Sequence, residues 1–437
     1  MRRNLIFILS LALVIRTALP IISWGVNGDT HRFFYSDTPT YLLPAQTLLN
    51  TGQYAANDQP ELLRPPGYPF FLIPGIFANA LIFITLTLQI ILSVITVALV
   101  YYIAHTLTNS RRTAQFAGFL AAIEPLGVLY TNHLLTETLF TALLTAGLYA
   151  LLQAHQKSTL RPLIIAAILL AAATYVRPIG IYLPCILAIP LALSRWPWQR
   201  LAIFLVIALG LPSLWTLRNI AVANYPNFSA ISAVNLYFYQ GAAVKAEQKQ
   251  IYFVEYQNHL GYRDQNQYLA HHPGQKNWSP AQRYQYMAGE GLNTLMTSPV
   301  TYAIIHFKGI FRTLFDPGAI DLLKLLNAYP ERGGLLGQIS DRGLVKALGY
   351  LLTERPFVFW THICMGILLL VYYFFALLIL KTKIRLPAIL LLTTICYFTI
   401  LSGGPHSLNR FRHPIMPIIA VFAGTGMGTL KRLSPSK

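Results

Sequence analysis

Long apolar runs separated by short polar segments dominate the chain. They mark about ten membrane-spanning helices, roughly 5–24, 70–105, 113–131, 134–154, 162–177, 179–194, 200–217, 357–380, 386–402 and 414–430. The 70–105 run is longer than one span, and Pro74-Gly75 is read as separating a half-helix from the helix proper. Between 218 and 356 the pattern changes to one rich in Tyr, Gln, Asn and Pro. Within it, 297–315 and 321–329 carry apolar residues at helical spacing with Lys and Arg between them, the pattern of helices lying at a membrane surface. The expected fold class is an all-α polytopic membrane protein with outer-face loops and one mostly helical extramembrane segment. Its parts are an N-terminal transmembrane module (1–217) whose first outer loop is 25–69, an extracytoplasmic segment (218–356) and C-terminal transmembrane helices (357–437).

Composition agrees. Apolar residues make up 55% of the chain and charged residues 11%, against about 25% charged in a soluble domain. The net charge of +18, from 33 basic and 15 acidic residues, would point to nucleic acid in a soluble protein. Here its distribution explains it, and no nucleic-acid partner is expected. Arg2, Arg3, Arg111, Arg112, Lys157, Arg161, Arg195, Arg200, Lys381, Lys383, Arg385, Lys431, Arg432 and Lys437 fall in alternate short segments that hold no acid. Positive charge keeps such segments inside, so both termini are expected in the cytoplasm. Four segments then share the opposite face: the 25–69 loop, the turn near 131–137, the 218–356 segment and the 402–414 loop. The basic start and apolar run of the N-terminus lack a small-x-small cleavage site and read as an uncleaved first helix. Cys185, Cys364 and Cys396 lie in apolar runs and read as small buried hydrophobes. Arg16, inside the first span, is expected to snorkel outward, with a buried pairing to Glu124 as the alternative.

The first outer loop holds the richest chemistry. Asp37, beside Tyr35 and Tyr41, can act as a base towards a hydroxyl or amine, or can simply cap the helix that starts at Thr38-Pro39. RPPGYP (64–69) is a rigid turn that returns the chain to the membrane, and Arg64 within it can hold a phosphate. Arg177, Arg218, Arg410 and Arg412 are further phosphate candidates, with anchoring at span ends as the alternative role. His406 and His413 share the short late loop with Arg410 and Arg412, giving four potential cations and no acid. Glu137 reads as a helix-start acid, as a second acid near Asp37, or with it as a divalent metal pair. A single Asp at 37 weakens that metal reading, and no cofactor is assigned. His259, His271, His272 and Asp264 fit no strong zinc template and read as a solvated loop. Nucleotide-binding motifs are absent.

The order D-x-P-x-Y (37–41), A-x-x-L (45–48), G-x-Y (52–54) and RPPGYP resembles the first periplasmic loop of class C (GT-C) glycosyltransferases, in the branch of lipid A aminoarabinose transferases and protein O-mannosyltransferases. LLTETLF (134–140), YVRPIG (175–180), W-x-L-R-N (215–219) and NRFRHPIMP (409–417) extend the resemblance; 218–356 matches only loosely, through NLYF (235–238) and the SP-x-x-Y stretch (298–302). The resemblance implies transfer of a sugar from a polyprenyl-phosphate donor, such as an undecaprenyl phosphate, to a lipid, glycan or protein acceptor on the periplasmic face of a bacterial inner membrane. It puts the catalytic carboxylate on Asp37. Arg64, Arg177, Arg218, Arg410, Arg412 and His413 are then the candidate ligands of the donor phosphate, with Tyr41, Tyr68, Glu137 and His406 as further candidates. A flippase or transporter of lipid-linked saccharide is the main alternative, and a polysaccharide polymerase or ligase is a third.

Overall fold

The computed structural model describes residues 2–329, 343–381 and 385–433. Lys383 and Lys437, two of the basic residues behind the expected topology, lie outside the described residues, as does 330–342 of the extramembrane segment.

The first apolar run forms α1 (Arg2–Asn27). A 3₁₀ turn at His31–Phe33 leads into α2 (Thr38–Thr51), which stops at Gly52 with φ 73°. A two-residue hairpin follows, β1 (Ala55–Ala56) antiparallel to β2 (Gln59–Pro60). Its turn residues, Asn57 and Asp58, both take positive φ, the geometry a tight hairpin demands.

Two of the expected spans are broken, each for a visible reason. The 70–105 run is α3 (Gly67–Phe77) and α4 (Leu81–Thr108). The break falls at 78–80 rather than at Pro74-Gly75: Pro74 sits inside α3, and Asn79 takes φ 52°. Gly75 permits the sharp return, because a Cβ there would lie 2.9 Å from the Leu81 backbone. The 113–131 run is α5 (Arg111–Ile123) and α6 (Pro125–Leu129), split at Glu124. The Glu124 carboxylate accepts from the N–H groups of Leu126 at 3.0 Å and Gly127 at 2.6 Å, while Pro125 brings no N–H to satisfy.

Arg16 does not snorkel. It is 1% exposed and turns inward. Its Nη1 and Nη2 donate to the carbonyls of Ala122 (2.7 Å) and Ala121 (3.1 Å), and its Nε to the Ser93 hydroxyl (2.6 Å). Those carbonyls end α5 and have no helical partner, so a guanidinium inside the membrane is satisfied by the break itself. Glu124 faces it across Gly127.

The N-terminal module continues with α7 (Glu137–Lys157), α8 (Leu160–Val176), α9 (Leu183–Leu193) and α10 (Trp198–Ala223). The extramembrane segment is helical as expected: α11 (Ile231–Val234), a π-helical turn (Asn235–Gly241), α12 (Ala242–Lys249), α13 (Phe253–His259), α14 (Gln265–His271) and α15 (Pro280–Thr297). Tyr237, Phe238, Tyr268 and Met287 form its small core. Next come α16 (Pro299–Phe315) and α17 (Ala319–Leu325), on the two stretches read as surface helices. The chain closes with α18 (Leu344–Glu354), α19 (Pro356–Leu377), α20 (Leu386–Leu401) and α21 (Met416–Leu433).

Among the described residues, five helices are long and apolar enough to cross a membrane: 3–27, 81–108, 137–157, 198–223 and 356–381. Shorter apolar helices cover 67–77, 160–176, 178–193 and 386–401. Phe7, Phe77, Phe83, Leu193 and Val206 stand exposed on their outer faces, a distribution that suits lipid rather than water. The three cysteines lie on that outer surface and are exposed. The expectation of buried thiols fails because a helix apolar on all sides does not say which side meets lipid.

Candidate active site

All four segments expected on one face supply side chains to a single cluster: Asp37 and Arg64 from the first loop, Glu137 from the turn before α7, Arg263 from the extramembrane segment and Arg410 from the late loop. Asp37 occupies the residue before α2, but its carboxylate makes no capping bond. It turns towards arginines instead. Arg410 Nη1 donates to Oδ2 at 2.9 Å. Among the described residues Oδ1 has only looser cationic neighbours, Arg64 Nη2 at 3.6 Å and Arg263 Nη2 at 4.0 Å. Burial alone would raise the Asp37 carboxyl, but the guanidiniums of Arg410 and then Arg64 outweigh it and hold it below the usual carboxylate range. Asp37 is therefore ionised at neutral pH, with Oδ2 hydrogen-bonded to Arg410 and, among the described residues, no hydrogen bond to Oδ1.

Arg64 is fixed by neighbours on α2. Its Nε donates to the Thr40 hydroxyl (2.9 Å) and its Nη1 to the Tyr41 hydroxyl (3.1 Å), with the guanidinium 4.5 Å from the centre of the Tyr41 ring. Glu137, the first residue of α7, is 1% exposed. Its Oε1 pairs with Arg177 Nη1 at 2.8 Å and lies 4.0 Å from Arg410 Nε. Arg410 thus stands between two carboxylates from different elements. Four guanidiniums (Arg64, Arg177, Arg263, Arg410) meet two carboxylates (Asp37, Glu137). This excess of fixed positive charge can hold an anion, and the arginine fork suits phosphate oxygens.

The remaining candidates separate. Arg218 bonds backbone carbonyls, Glu61 at 2.7 Å and Tyr54 at 2.8 Å, and stacks 4.7 Å from the Trp215 ring centre. It ties the hairpin loop to the end of α10. Arg412 is 1% exposed and donates to the carbonyls of Thr313 and Leu314, both at 2.8 Å, closing the end of α16. Tyr68 is buried, with its hydroxyl donating to Gln89 at 3.0 Å, whereas Tyr41 reaches the cluster through Arg64. His406 packs 4.6 Å from the Tyr239 ring, and burial followed by the charge of Arg410 pushes its pKa down to about 4. Burial pushes His413, which lies against Tyr130, down to about 3. Both imidazoles are neutral at physiological pH, so the late loop carries two cations rather than four.

The sequence reading passed over Arg263. It comes from the extramembrane segment, in the turn before α14, with φ 65°. Its only local signal is a glycine turn, Gly261-Tyr262-Arg263, and no spacing rule links that turn to a residue more than two hundred positions earlier.

The donor set fits a divalent cation poorly. Asp37 and Glu137 flank a guanidinium rather than a shared void, and no group of three His, Cys, Asp or Glu gathers among the described residues. A dication there would face arginines already holding both carboxylates.

The arrangement of helices has the GT-C fold. Residues 64–216 of the 437-residue chain match the family described as dolichyl-phosphate-mannose-protein mannosyltransferase. The oligosaccharyltransferase of Archaeoglobus fulgidus in the apo form superposes with a TM-score of 0.54 at 15% identity, over 98% of this chain and 51% of that one. The AglB enzyme of the same organism, with an inhibitory peptide and a dolichol-phosphate, gives 0.52 at 14% identity, over 99% and 52%. ArnT from Cupriavidus metallidurans bound to undecaprenyl phosphate gives 0.42 at 15% identity, over 96% and 77%. The chain spans about half the length of the oligosaccharyltransferases it matches. No curated protein matches the sequence significantly.

Proposed function

We propose that this chain is a polytopic membrane glycosyltransferase. It moves a sugar from a polyprenyl-phosphate donor to an acceptor on the extracytoplasmic face, by inverting displacement. The observation that carries the reading is the Asp37 carboxylate, hydrogen-bonded through Oδ2 and, among the described residues, held only loosely at Oδ1, beside guanidiniums in excess over acids. An acceptor O–H or N–H donates to Oδ1 while the acceptor atom attacks the anomeric carbon, and the departing phosphate is held by Arg64 and Arg410. The match to mannosyltransferases over 64–216 and the GT-C fold support the same chemistry.

The depressed Asp37 pKa describes the carboxylate with its arginines engaged. Donor phosphate competes for Arg64 and Arg410, so its arrival weakens their hold on Asp37 and raises its basicity when an acceptor needs it. The charged groups also sit at helix ends, before α2, at the start of α7 and before α21. A transfer site on one face wants them there, whereas alternating access wants a midplane site. We place the site on the periplasmic side of a bacterial inner membrane, with both termini cytoplasmic and with 1–217, 218–356 and 357–437 as three functional parts.

The test is Asp37→Asn in a strain deleted for the protein, read by mass spectrometry of envelope lipids and glycans. The wild-type chain should restore a sugar modification that Asp37→Asn reduces by about a thousandfold, the scale of a lost general base. Thermal stability of the purified variant should remain close to wild type. Full restoration by Asp37→Asn would remove the catalytic assignment.

A further inference from the structure

The displacement proposed above moves one negative charge across the site. The bond between the anomeric carbon and the phosphate oxygen breaks, and its electron pair leaves with the oxygen. A monoanionic phosphodiester thereby becomes a phosphomonoester that can carry a second charge. The acceptor loses a proton to Asp37 Oδ1 as its own bond to the anomeric carbon forms, so Asp37 becomes neutral. Charge leaves Asp37 and appears on the phosphate.

The cations differ in their freedom to follow it. Arg410 is 9% exposed, bonded to Asp37 Oδ2 and drawn back by Glu137. Arg177 is paired with Glu137. Arg64 is held by Thr40 and Tyr41. Arg263 alone in the cluster is largely exposed, at 56%, and it lies against Oδ1, the oxygen that takes the proton, at 4.0 Å. Its guanidinium rests 5.1 Å from the Tyr262 ring centre and hydrogen-bonds the Tyr262 side chain; among the described residues this is its one anchor of that kind, and no carbonyl accepts from it. Tyr262 in turn meets Tyr239, whose hydroxyl bonds the Tyr262 hydroxyl and whose ring packs on His406 of the late loop. A π-helical turn carries Tyr239, and such turns recur at functional sites.

Resting on the proposed transfer reaction, we infer that Arg263 is a further catalytic residue, a mobile countercharge that leaves Asp37 when the carboxylate is protonated and pairs with the second charge of the departing polyprenyl phosphate. Its interaction is made in the transition state and product and little in the ground state, which is the kind that accelerates a chemical step. The extramembrane segment thereby contributes to the reaction itself as well as to any acceptor docking.

The experiment compares two defined lipids that differ by that charge, undecaprenyl phosphate and its methyl phosphodiester, bound to the purified full chain at pH 8. The monoester's second ionisation, near pH 6, is then complete. Arg263→Gln should weaken the monoester by about tenfold or more, the scale of a charge-assisted hydrogen bond, and leave the diester within about twofold. Asp37→Asn, which imitates the protonated carboxylate, should strengthen monoester binding, and the gain should be several-fold smaller in the Asp37→Asn, Arg263→Gln double variant, where Arg64 and Arg410 alone supply it. Arg263→Lys should keep part of the preference. Equal weakening of both lipids, no weakening, or a gain in Asp37→Asn that loss of Arg263 leaves undiminished overturns the inference. The transfer reading falls separately, if wild-type protein binds the monoester but the strain assay shows no sugar modification. Failure of wild type to bind either lipid removes both.

Discussion

Arg410 is the residue on which the site closes, because it lies between the acids of two elements, Asp37 before α2 and Glu137 at the start of α7. Its planar fork presents separate nitrogens to Asp37 and Glu137, and an ammonium cannot do so from one position. Arg410→Lys should lower transfer about a hundredfold, the scale of a lost electrostatic donor, and should weaken donor binding by a smaller factor, since the lysine keeps the charge but loses the fork; separate kcat and KM measurements check this. The pH profile follows with a definite sign. Asp37 is ionised above a value lower than its ordinary 3.8, so kcat/KM of the free enzyme should stay level from pH 8 to 5 and fall only in stronger acid. In Arg410→Gln the largest opposing charge is gone and burial dominates, so the acid limb should move upward. A limb that stays in place would show that another group sets it. His406 and His413, with pKa values near 4 and 3, should add no limb near 6.5.

At the scale of elements, close backbone packing sets where these side chains can stand. Gly67 begins α3 against α8, and a Cβ there would lie 2.6 Å from the Tyr175 carbonyl oxygen. This assigns RPPGYP two jobs: Gly67 and Tyr68 fix the return to the membrane, and Arg64 reaches the carboxylate. Gly309 on α16 plays the same part for the late loop, where a Cβ would run into the Gly404 backbone. Gly309→Val should destabilise the protein by about 1–3 kcal/mol, as overpacking does, and reduce transfer by displacing His406 and Arg410; a thermal melt with a parallel transfer assay checks both. Much of this level was legible in the sequence. Apolar runs located the helices, and the one-sided distribution of acids brought Asp37, Glu137 and Arg410 to one face before any contact was known. Two things were not legible. The position of the first helix break, 78–80 rather than the expected Pro74-Gly75, and the existence of the second, at Glu124, arise from local backbone geometry inside apolar runs. The division of arginines into anion-facing (Arg64, Arg410) and carbonyl-capping (Arg218, Arg412) depends on which helix ends lie nearby, and sequence neighbours do not report that.

At the scale of the whole molecule, the opposite charges of Arg16 and Glu124 explain how a membrane bundle keeps a polar break beneath its site. Arg16 satisfies the carbonyls that end α5, and Glu124 satisfies the N–H groups that start α6. Each repairs one side of the same interruption, so neither is a spare charge. The chain after α6 turns directly into the segment 130–137 that delivers Glu137 to the site, so the register of α6 sets where that carboxylate stands. Arg16 and Glu124 are opposite buried charges that bond backbone groups rather than each other; removing one leaves the other uncompensated, at a cost of up to about 3–5 kcal/mol, whereas replacing both by uncharged groups costs less. Arg16→Met should therefore be severely destabilising, and Arg16→Met with Glu124→Gln should recover a substantial part of the lost stability, since the Gln carbonyl oxygen can still accept from the Leu126 or Gly127 N–H. Transfer activity should recover less than stability does, because the guanidinium that fixes the end of α5 is still missing and α6 is free to shift with Glu137 behind it. Thermal inactivation in nanodiscs measures the first, and transfer per folded molecule the second. Additive losses in the double variant would show that Arg16 and Glu124 act on α5 and α6 independently, and would leave the placement of Glu137 to the packing of α7 alone.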